Sequence, residues 1–305
     1  MTILRTWLVI IMLSGFWFPV CAGTVTRSVQ LPDDVTRIYL NGANELHLTQ
    51  GDSQFVKLTA PEDLVSQVKA RIKGKSLYLG REKNWNSDSF GITSSTEDAS
   101  VRFDVQLKRI DAIRILGSGK AYTGDLVGDR MRIIMFGSGK TVTKSIMARD
   151  LRVECSGSCD FKSDRIVAGE IGFRIGGSGR IDIVRLDTDA LDIDIAGSGN
   201  IKLEKLITAK LDTKISGSAN LELAGRVRSQ DLEINGSADY KSSRLISDNA
   251  YVDIRGAGDV TVSVQKQLTA ELTKGASLVF YGSPALEADI SGQGKSRNAG
   301  KISGK

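Results

Sequence analysis

Along most of the chain, apolar and polar residues alternate with a period of two on both sides of short corners made of glycine, serine and alanine. Between Leu191 and Leu203, for example, every second residue is apolar before and after the corner at residues 197–199. Such alternation predicts β-strands with one buried face, and small residues between two strands predict a tight corner. The repeating unit is therefore a strand, a corner and a second strand.

The corners return at an almost constant interval. Their first glycines lie at positions 117, 137, 157, 177, 197, 217, 236, 256 and 275, so the steps are 20, 20, 20, 20, 20, 19, 20 and 19 residues. This regularity is typical of a stacked repeat architecture. Glycine suits a corner because it adopts positive φ and allows close backbone approach. We therefore assign structural turn roles to Gly117, Gly119, Gly137, Gly139, Gly157, Gly177, Gly179, Gly197, Gly199, Gly217, Gly236, Gly256 and Gly258.

Equivalent positions in successive repeats indicate how the units stack. Two columns are mainly apolar, one from Ile113 to Val252 and one from Ile115 to Ile254, whereas two outward columns alternate in charge. In a parallel stack, equivalent side chains lie about 4.8 Å apart, so opposite charges attract and like charges repel. We therefore predict an all-β, single-stranded parallel β-helix with coils of about 20 residues, and not a propeller. The charged columns are Glu154, Arg174, Asp194, Lys214 and Glu233, and Lys162, Asp182, Lys202, Glu222 and Lys241.

Residues 1–22 differ in kind from the rest of the chain. Arg5 precedes an apolar run from Trp7 to Leu13, and small residues surround Ala22. This pattern predicts a secretory signal peptide that is cleaved after Ala22. A retained membrane anchor, for which the run is short, and lipid attachment at Cys21 are alternatives. No second apolar run of that length follows, so we expect no integral membrane span in the mature chain.

Residues 23–305 are predicted to form one domain, because the periodicity argues against dividing them. Regular coils cover residues 111–290, and residues 291–305 form a small basic tail. Residues 23–110 contain strand-like runs without the glycine corners. We interpret them as atypical first coils that cap the open hydrophobic end of the stack, with a short helix over residues 61–68.

A long polar loop follows residue 81 and carries two aromatic residues, Trp85 and Phe90. Long loops on a rigid scaffold often carry binding residues, so these side chains are candidates to stack on a sugar or a protein partner. The alternative is that they bury against the scaffold and hold the loop in place, as large aromatic side chains usually do.

Two cysteines, Cys155 and Cys159, remain after removal of the signal peptide. An even number of cysteines in an exported chain is compatible with a disulfide. Cys155 falls in an inward column and Cys159 in a corner, so both could equally be small buried hydrophobic residues.

Charge and motif content argue against several functions. The 41 Lys and Arg residues are interleaved with 36 Asp and Glu residues, so we expect no nucleic-acid partner. Residues 137–141 resemble the end of a phosphate-binding loop, but the glycine that opens that motif would fall on Ile134, and a strand follows where a helix is required. We expect no cofactor.

Catalytic and metal-binding sets are also incomplete. His47 is the only histidine, so the serines of the corners lack a base, and histidine–cysteine metal sites lack ligands. Five aspartates between positions 182 and 194 do not follow the glycine-rich spacing of calcium-binding β-helices, and a solvated face is the favoured interpretation. Polysaccharide lyases and hydrolases on this fold use long loops to build a cleft, whereas these corners are uniform in spacing.

Several motifs together resemble one bacterial family. They are Ile38-Tyr39-Leu40-Asn41-Gly42, Leu48-Thr49-Gln50-Gly51, Gly74-Lys75-Ser76-Leu77-Tyr78-Leu79, the glycine–serine corners, Phe280-Tyr281-Gly282-Ser283-Pro284 and Ile290-Ser291-Gly292-Gln293-Gly294. They are similar to the putative auto-transporter adhesin, head GIN domain family. The resemblance implies a right-handed parallel β-helix that is exported by Gram-negative bacteria, and it brings no catalytic motif.

These observations predict an exported, non-enzymatic β-helix that is adhesin-like or an envelope-associated binding or structural module. Its location would be the periplasm, the outer membrane or the cell surface, and its partner an envelope polysaccharide or a surface protein. The alternative is a carbohydrate-active enzyme, either a polysaccharide lyase or a hydrolase, which would also use a β-helix.

Overall fold

The computed structural model describes residues 24–81 and 101–300, which form twenty β-strands in one continuous sheet. This part of the chain contains no helix, and therefore none with the length and hydropathy of a membrane span. The strands are β1 (Thr24–Gln30), β2 (Arg37–Asn41), β3 (Glu45–Gln50), β4 (Phe55–Pro61), β5 (Val68–Lys73), β6 (Ser76–Arg81), β7 (Arg102–Leu107), β8 (Ala112–Gly117), β9 (Lys120–Val127), β10 (Arg130–Gly137), β11 (Lys140–Gly157), β12 (Asp160–Gly177), β13 (Arg180–Gly197), β14 (Asn200–Gly217), β15 (Asn220–Gly236), β16 (Asp239–Gly256), β17 (Asp259–Lys274), β18 (Ser277–Tyr281), β19 (Ala285–Ile290) and β20 (Lys295–Asn298).

Each coil from β11 to β16 is almost a single strand that bends at two points. The ladder between β11 and β12 is interrupted at Lys144 and Arg149, which leaves three straight sides of residues 140–143, 145–148 and 150–157. Parallel pairing continues to the neighbouring coils on both sides. The predicted parallel β-helix is therefore confirmed. We call the side that leads into each corner the pre-corner sheet.

The two apolar columns point into the interior, as predicted. Ile175, Ile195 and Ile215 lie in direct register, and each is at most 1% exposed. Full burial of such a side chain stabilises the fold by about 1.5–3 kcal/mol. A third apolar position in each coil, occupied by Ile166 and Leu186 in β12 and β13, is also fully buried. All three sides of a coil therefore contribute to one elongated core.

The charged columns lie outside and in the predicted register. Some of their members pair with the next coil, and others pair along their own strand, as Lys202 does with Glu204 at 3.0 Å. Exposed pairs of this kind contribute at most about 1 kcal/mol each. The cross-coil pairs are Arg174 with Asp194 at 3.3 Å, Lys214 with Glu233 at 3.7 Å and Lys162 with Asp182 at 3.4 Å.

In the corners between the regular coils the first residue is glycine for two reasons, which Gly197 illustrates. Its φ is +137°, and an added Cβ would lie 2.5 Å from the carbonyl oxygen of Gly177. That oxygen also accepts a hydrogen bond from the Ser198 N–H at 2.7 Å. A side chain at this position would therefore strain the backbone and push adjacent coils apart.

The third residue of a corner is small for a different reason, because it faces the core. A Cβ on Gly199 would lie 3.0 Å from Cγ2 of Ile195, while Cys159, Ala219 and Ala238 occupy this position and are at most 2% exposed. The corner thus combines one backbone requirement with one packing requirement.

The two steps of 19 residues are absorbed in different ways. In β15 the missing residue falls at a bend, where the ladder to β14 shifts between Leu203 and Leu206 and Gly225 adopts a φ of +133°. Between β16 and β17 the ladder shifts between Ser242 and Ile246 and again between Ser247 and Asn249, so that Gly256 is in register with Lys274 and not with Gly275, and this step is 18 residues in register. Lys274 takes the left-handed conformation, with a φ of +59°. Our assignment of Gly275 as the first residue of that corner was therefore wrong by one position.

The N-terminal strands form the predicted cap, but they do not stack in chain order. The coil formed by β2 and β3 lies between the coil of β8 and β9 and the coil of β6 and β7. Ile38 thus pairs with Ile113 on one side and with Leu77 on the other. Antiparallel strands complete this end, since β5 pairs with β6, and β4 pairs with both β7 and β1.

The short helix predicted for residues 61–68 is wrong. Strand β4 continues to Pro61, residues 62–67 form hydrogen-bonded turns, and β5 begins at Val68. Leu64 and Val65 are buried at 6% exposure each. The apolar residues that suggested a helix therefore lie in turns with their side chains buried, and the backbone on both sides belongs to strands.

The solenoid continues past residue 290. Strand β20, within the segment that we interpreted as a basic tail, pairs in parallel with β18 and places Lys295 in register with Ser277. Lys301 and Lys305 of that segment lie outside the described residues.

Candidate binding face

The two aromatic residues predicted to bind a ligand, Trp85 and Phe90, lie outside the described residues, as does the predicted signal peptide. The strands on either side of their segment are informative. β6 ends at Arg81 and β7 begins at Arg102, and these strands stack on β2 and β3. The end of β6 and the start of β7 therefore lie beside the corner that joins β2 to β3.

Cys155 and Cys159 are joined by a disulfide across their corner, with their Cα atoms 5.9 Å apart. Both are 1% exposed. Gly179, in the next corner, leaves the space that the pair needs, since a Cβ there would lie 2.3 Å from the sulfur of Cys155. The disulfide is thus part of the core.

His47 is not placed as a catalytic base. Its Nε2 contacts the carboxylate of Glu45, and its ring lies 5.2 Å from the ring of Tyr122. The corner that resembles a phosphate-binding loop leads into strand β11, where Thr141 is fully buried and Lys140 pairs with Asp160 at 3.7 Å. Neither motif forms the arrangement that its chemistry requires.

The aspartates considered for calcium point away from a common centre. Asp182 pairs with Lys162 at 3.4 Å and Asp187 with Arg185 at 2.9 Å, and the residues lie on different sides of one coil. Over residues 24–81 and 101–300, no group of three or more His, Cys, Asp or Glu side chains is arranged to hold a metal ion.

The pre-corner sheet has a polarised charge distribution that the repeat pattern did not predict. One outward column carries arginine at Arg132 and Arg152, glycine at Gly172, and aspartate at Asp192 and Asp212. A shallow groove of about 410 Å³ follows these residues. This column is therefore basic toward the cap and acidic beyond Gly172, where the absent side chain lowers the surface.

Two tyrosines and an arginine continue the basic half toward the cap. Tyr39 and Tyr78 stack with ring centroids 4.5 Å apart and planes 16° apart, and the guanidinium carbon of Arg114 lies 5.3 Å from the centre of the Tyr39 ring. Burial, followed by the neighbouring Tyr39, raises the pKa of Tyr78. The Tyr78 phenol is therefore a neutral hydrogen-bonding group at physiological pH.

Like charges are stacked in the acidic half. Asp192, Asp212 and Asp231 are in consecutive register, and only Asp212 has an ion-pair partner, Lys210 at 2.6 Å. Burial, followed by the charges of Asp212 and Glu233, raises the pKa of Asp231. Burial and the neighbouring negative charges therefore disfavour ionisation of the Asp231 carboxyl group.

Part of this polarity was readable in the sequence, because the column from Arg132 to Asp231 follows the repeat. The extension through Arg37 and Tyr39 was not, because β2 stacks against β8 out of chain order. The charges of this column are segregated, so the column lacks the alternation of sign that predicted the stacking.

The family model for putative auto-transporter adhesin, head GIN domain, matches residues 34–204 and 170–284. The chain belongs to this family. The resemblance of its motifs is thereby confirmed. A comparison with curated proteins finds no significant match.

Solved structures of similar fold come from Parabacteroides. A protein of P. distasonis ATCC 8503 described as a putative lipid binding protein is 15% identical, with 92% of this chain and 98% of that chain covered and a TM-score of 0.53. A putative adhesin of P. merdae ATCC 43184 is 14% identical over 92% of this chain and 97% of that chain, with a TM-score of 0.54. At these identities, the likeness supports the fold alone.

Proposed function

We propose that the protein is an exported, non-enzymatic binding module of the adhesin-like type, which presents the pre-corner sheet to a partner in the cell envelope or on a surface. The observation that carries this proposal is the regular stacking from β11 to β16, where successive coils remain in register with few irregularities. Such coils present flat faces on which an extended partner can lie.

Export is supported by two features of different kinds. Residues 1–22 have the pattern of a signal peptide, and the disulfide between Cys155 and Cys159 suits an oxidising compartment. We therefore propose that the mature chain, from residue 23 onward as a single domain, is located in the periplasm or at the cell surface of a Gram-negative bacterium.

The test is a glycan array with purified mature protein, combined with assays for reducing sugars and unsaturated products on the same glycans. We expect binding without turnover. Release of either product in proportion to protein concentration would refute the non-enzymatic proposal in favour of a polysaccharide hydrolase or lyase. Cell fractionation tests location, and recovery of the chain in the cytoplasm would contradict export.

The role of Trp85 and Phe90 is tested separately. Deletion of residues 82–100 should weaken binding if these aromatic residues contact the partner, and should leave it unchanged if they only hold their own segment. Because β6 and β7 are paired to β2 and β3 independently, we expect the coils to fold without the deleted residues. Thermal unfolding of the deletion variant checks this.

A further inference from the structure

Unpaired basic side chains are concentrated at the cap end of the pre-corner sheet. We define the basic strip as the six cations that lie there in two adjacent outward columns. Within the described chain, five of them are exposed and have no carboxylate within 4.0 Å, and the sixth, Arg114, contacts Tyr39. The strip consists of Lys73, Arg37, Arg132 and Arg152 in one column and Arg71 and Arg114 in the other.

The lack of partners distinguishes the strip from the rest of the same sheet. Further along, Arg174 and Lys214 each have a carboxylate in the next coil, at 3.3 and 3.7 Å. Near the strip, Asp129 and Asp150 are held by Arg149 at 3.3 and 3.1 Å. These two acids are therefore already paired, whereas Glu154 and Glu170, which line the groove beside Arg152, have no cation within 4.0 Å in the described chain and mark the end of the strip.

The strip is electrostatically unfavourable when it is empty. Arg132 and Arg152 are direct register partners, so their backbones are about 4.8 Å apart and their like charges repel. In addition, Nε of Arg114 is buried and has no hydrogen-bond partner. A bound polyanion would relieve the repulsion along the whole strip.

We propose that the basic strip binds a linear acidic polysaccharide, with carboxylate or sulfate groups on its repeating sugars, along the axis of the solenoid. This proposal rests on the proposed function and names the ligand class and the site. The strip crosses six strands, from β5 through β6, β2, β8 and β10 to β11, a length of about 24 Å at the spacing of β-strands. Guanidinium groups suit planar anions because they can donate two parallel hydrogen bonds.

Two features favour a polysaccharide over a membrane or a nucleic acid. The apolar residue that follows Arg114 in its column, Ile134, is only 6% exposed, so it does not project as a membrane anchor would. The ring of Tyr39 is already stacked between Tyr78 and Arg114, so it is not a platform for bases. The phenol hydroxyls of these tyrosines remain suited to bonding with sugar hydroxyl groups.

The acidic half of the sheet limits how far the bound polysaccharide extends along the solenoid. Beyond Gly172 the same column continues with Asp192 and Asp212, which repel a polyanion. The ligand is therefore confined to the cap half, and the solenoid binds it in a fixed position and not uniformly along its length.

The experiment uses the mature protein and three polymers: alginate, which carries a carboxylate on every sugar, dextran sulfate, and neutral dextran. Isothermal titration calorimetry should detect binding of alginate or dextran sulfate but not of dextran, and binding should weaken as salt rises. Comparison of alginate with dextran sulfate separates carboxylate from sulfate as the preferred group. Phosphatidylglycerol vesicles and single-stranded DNA complete the set.

The variant R132E/R152E should weaken polyanion binding at least about tenfold, because both changes reverse charge at the centre of the strip. The matched control is R165E/K205E, which makes the same change in net charge at two exposed cations on another side of the coils. We expect the control to bind within about twofold of wild type. Thermal unfolding confirms that both variants are folded, which we expect because all four residues are exposed.

Equal losses in both variants would refute the strip, since net charge alone would then explain binding. Tighter binding of vesicles or DNA than of either polysaccharide would refute the ligand class. If wild type binds a neutral glycan or a protein and ignores alginate and dextran sulfate, the strip proposal fails while the binding module stands. Cleavage of alginate that R132E/R152E abolishes would instead refute the non-enzymatic function.

Discussion

Replacement of Gly197 by alanine tests the physical basis of the corner. At a φ of +137° an L-residue is strained, and the new Cβ would lie 2.5 Å from the carbonyl oxygen of Gly177. Backbone strain of this kind costs about 1–3 kcal/mol, and overpacking against a neighbour costs a further amount of about 1–3 kcal/mol. We therefore expect Gly197→Ala to lower the free energy of unfolding by about 2–6 kcal/mol.

The measurement is thermal unfolding followed by far-ultraviolet circular dichroism. A loss of 1 kcal/mol lowers Tm by about 2–4 °C in domains of 150–250 residues, so the variant should lose at least about 4 °C. Gly124→Ala is the matched control, because Gly124 has no positive φ and no atom within 4 Å of an added Cβ. That variant should retain or slightly raise Tm.

A Tm for Gly197→Ala within about 1 °C of the control would refute this reasoning. Such a result would mean that adjacent corners can separate without cost, so that close backbone approach is not what glycine provides there. A large loss in both variants would also contradict it, because Gly124 lies at a bend with open space around it.

Three further predictions concern the core, the acidic stack and the disulfide. Ile195→Ala should lower the free energy of unfolding by about 2–5 kcal/mol. Val184→Ala, at a side chain that is 44% exposed, should lower it by at most about 0.5 kcal/mol in the same thermal assay. Similar losses in the two variants would contradict the burial of the Ile195 column. Because the folded-state pKa of Asp231 is raised, its ionisation destabilises the protein as pH rises through that pKa. Asp231→Asn should therefore raise Tm at pH 7 relative to wild type, and this difference in Tm should vanish below the ordinary pKa of aspartate. A lower Tm of the variant at pH 7 would contradict the destabilisation by the ionised Asp231. When the mature protein is unfolded without reductant, a thiol reagent should detect no free thiol, and detection of two free thiols would contradict the disulfide. Replacement of Cys155 and Cys159 by alanine should lower Tm by an amount equivalent to about 2 kcal/mol of unfolding free energy.

Much of the fold could be predicted because equivalent positions in successive repeats have the same environment, so that each repeat indicates the structure of the next. Ile195 lies next to Ile175 and Ile215 because residues twenty apart are stacked, and alternation alone indicates that these side chains are buried. The same reasoning failed at Lys274, where register and not residue type decides which position turns the corner. It also failed at residues 61–68, where apolar spacing typical of a helix is used by turns.

The candidate binding face was less predictable than the fold. The pair Arg132 and Arg152 is visible in the repeat, but a charged residue on an outward column is compatible with a simple solvated surface. What distinguishes these two arginines is that neither has a carboxylate within 4.0 Å among the described residues, and that depends in part on which carboxylates Arg149 holds. Contacts of this kind depend on side-chain orientations, which the spacing of residues in the sequence does not determine.

The sequence by itself determined the parallel solenoid, its coil length, its inward columns and the small residues of its corners, because each follows from a period that local chemistry enforces at every turn. Only the tertiary structure decided the order of the cap. Placing β2 and β3 between coils formed by later strands brings Arg37 and Tyr39 beside Ala112 and Arg114. That arrangement depends on which hydrophobic edges fit together after the chain has collapsed, and no local pattern carries this information.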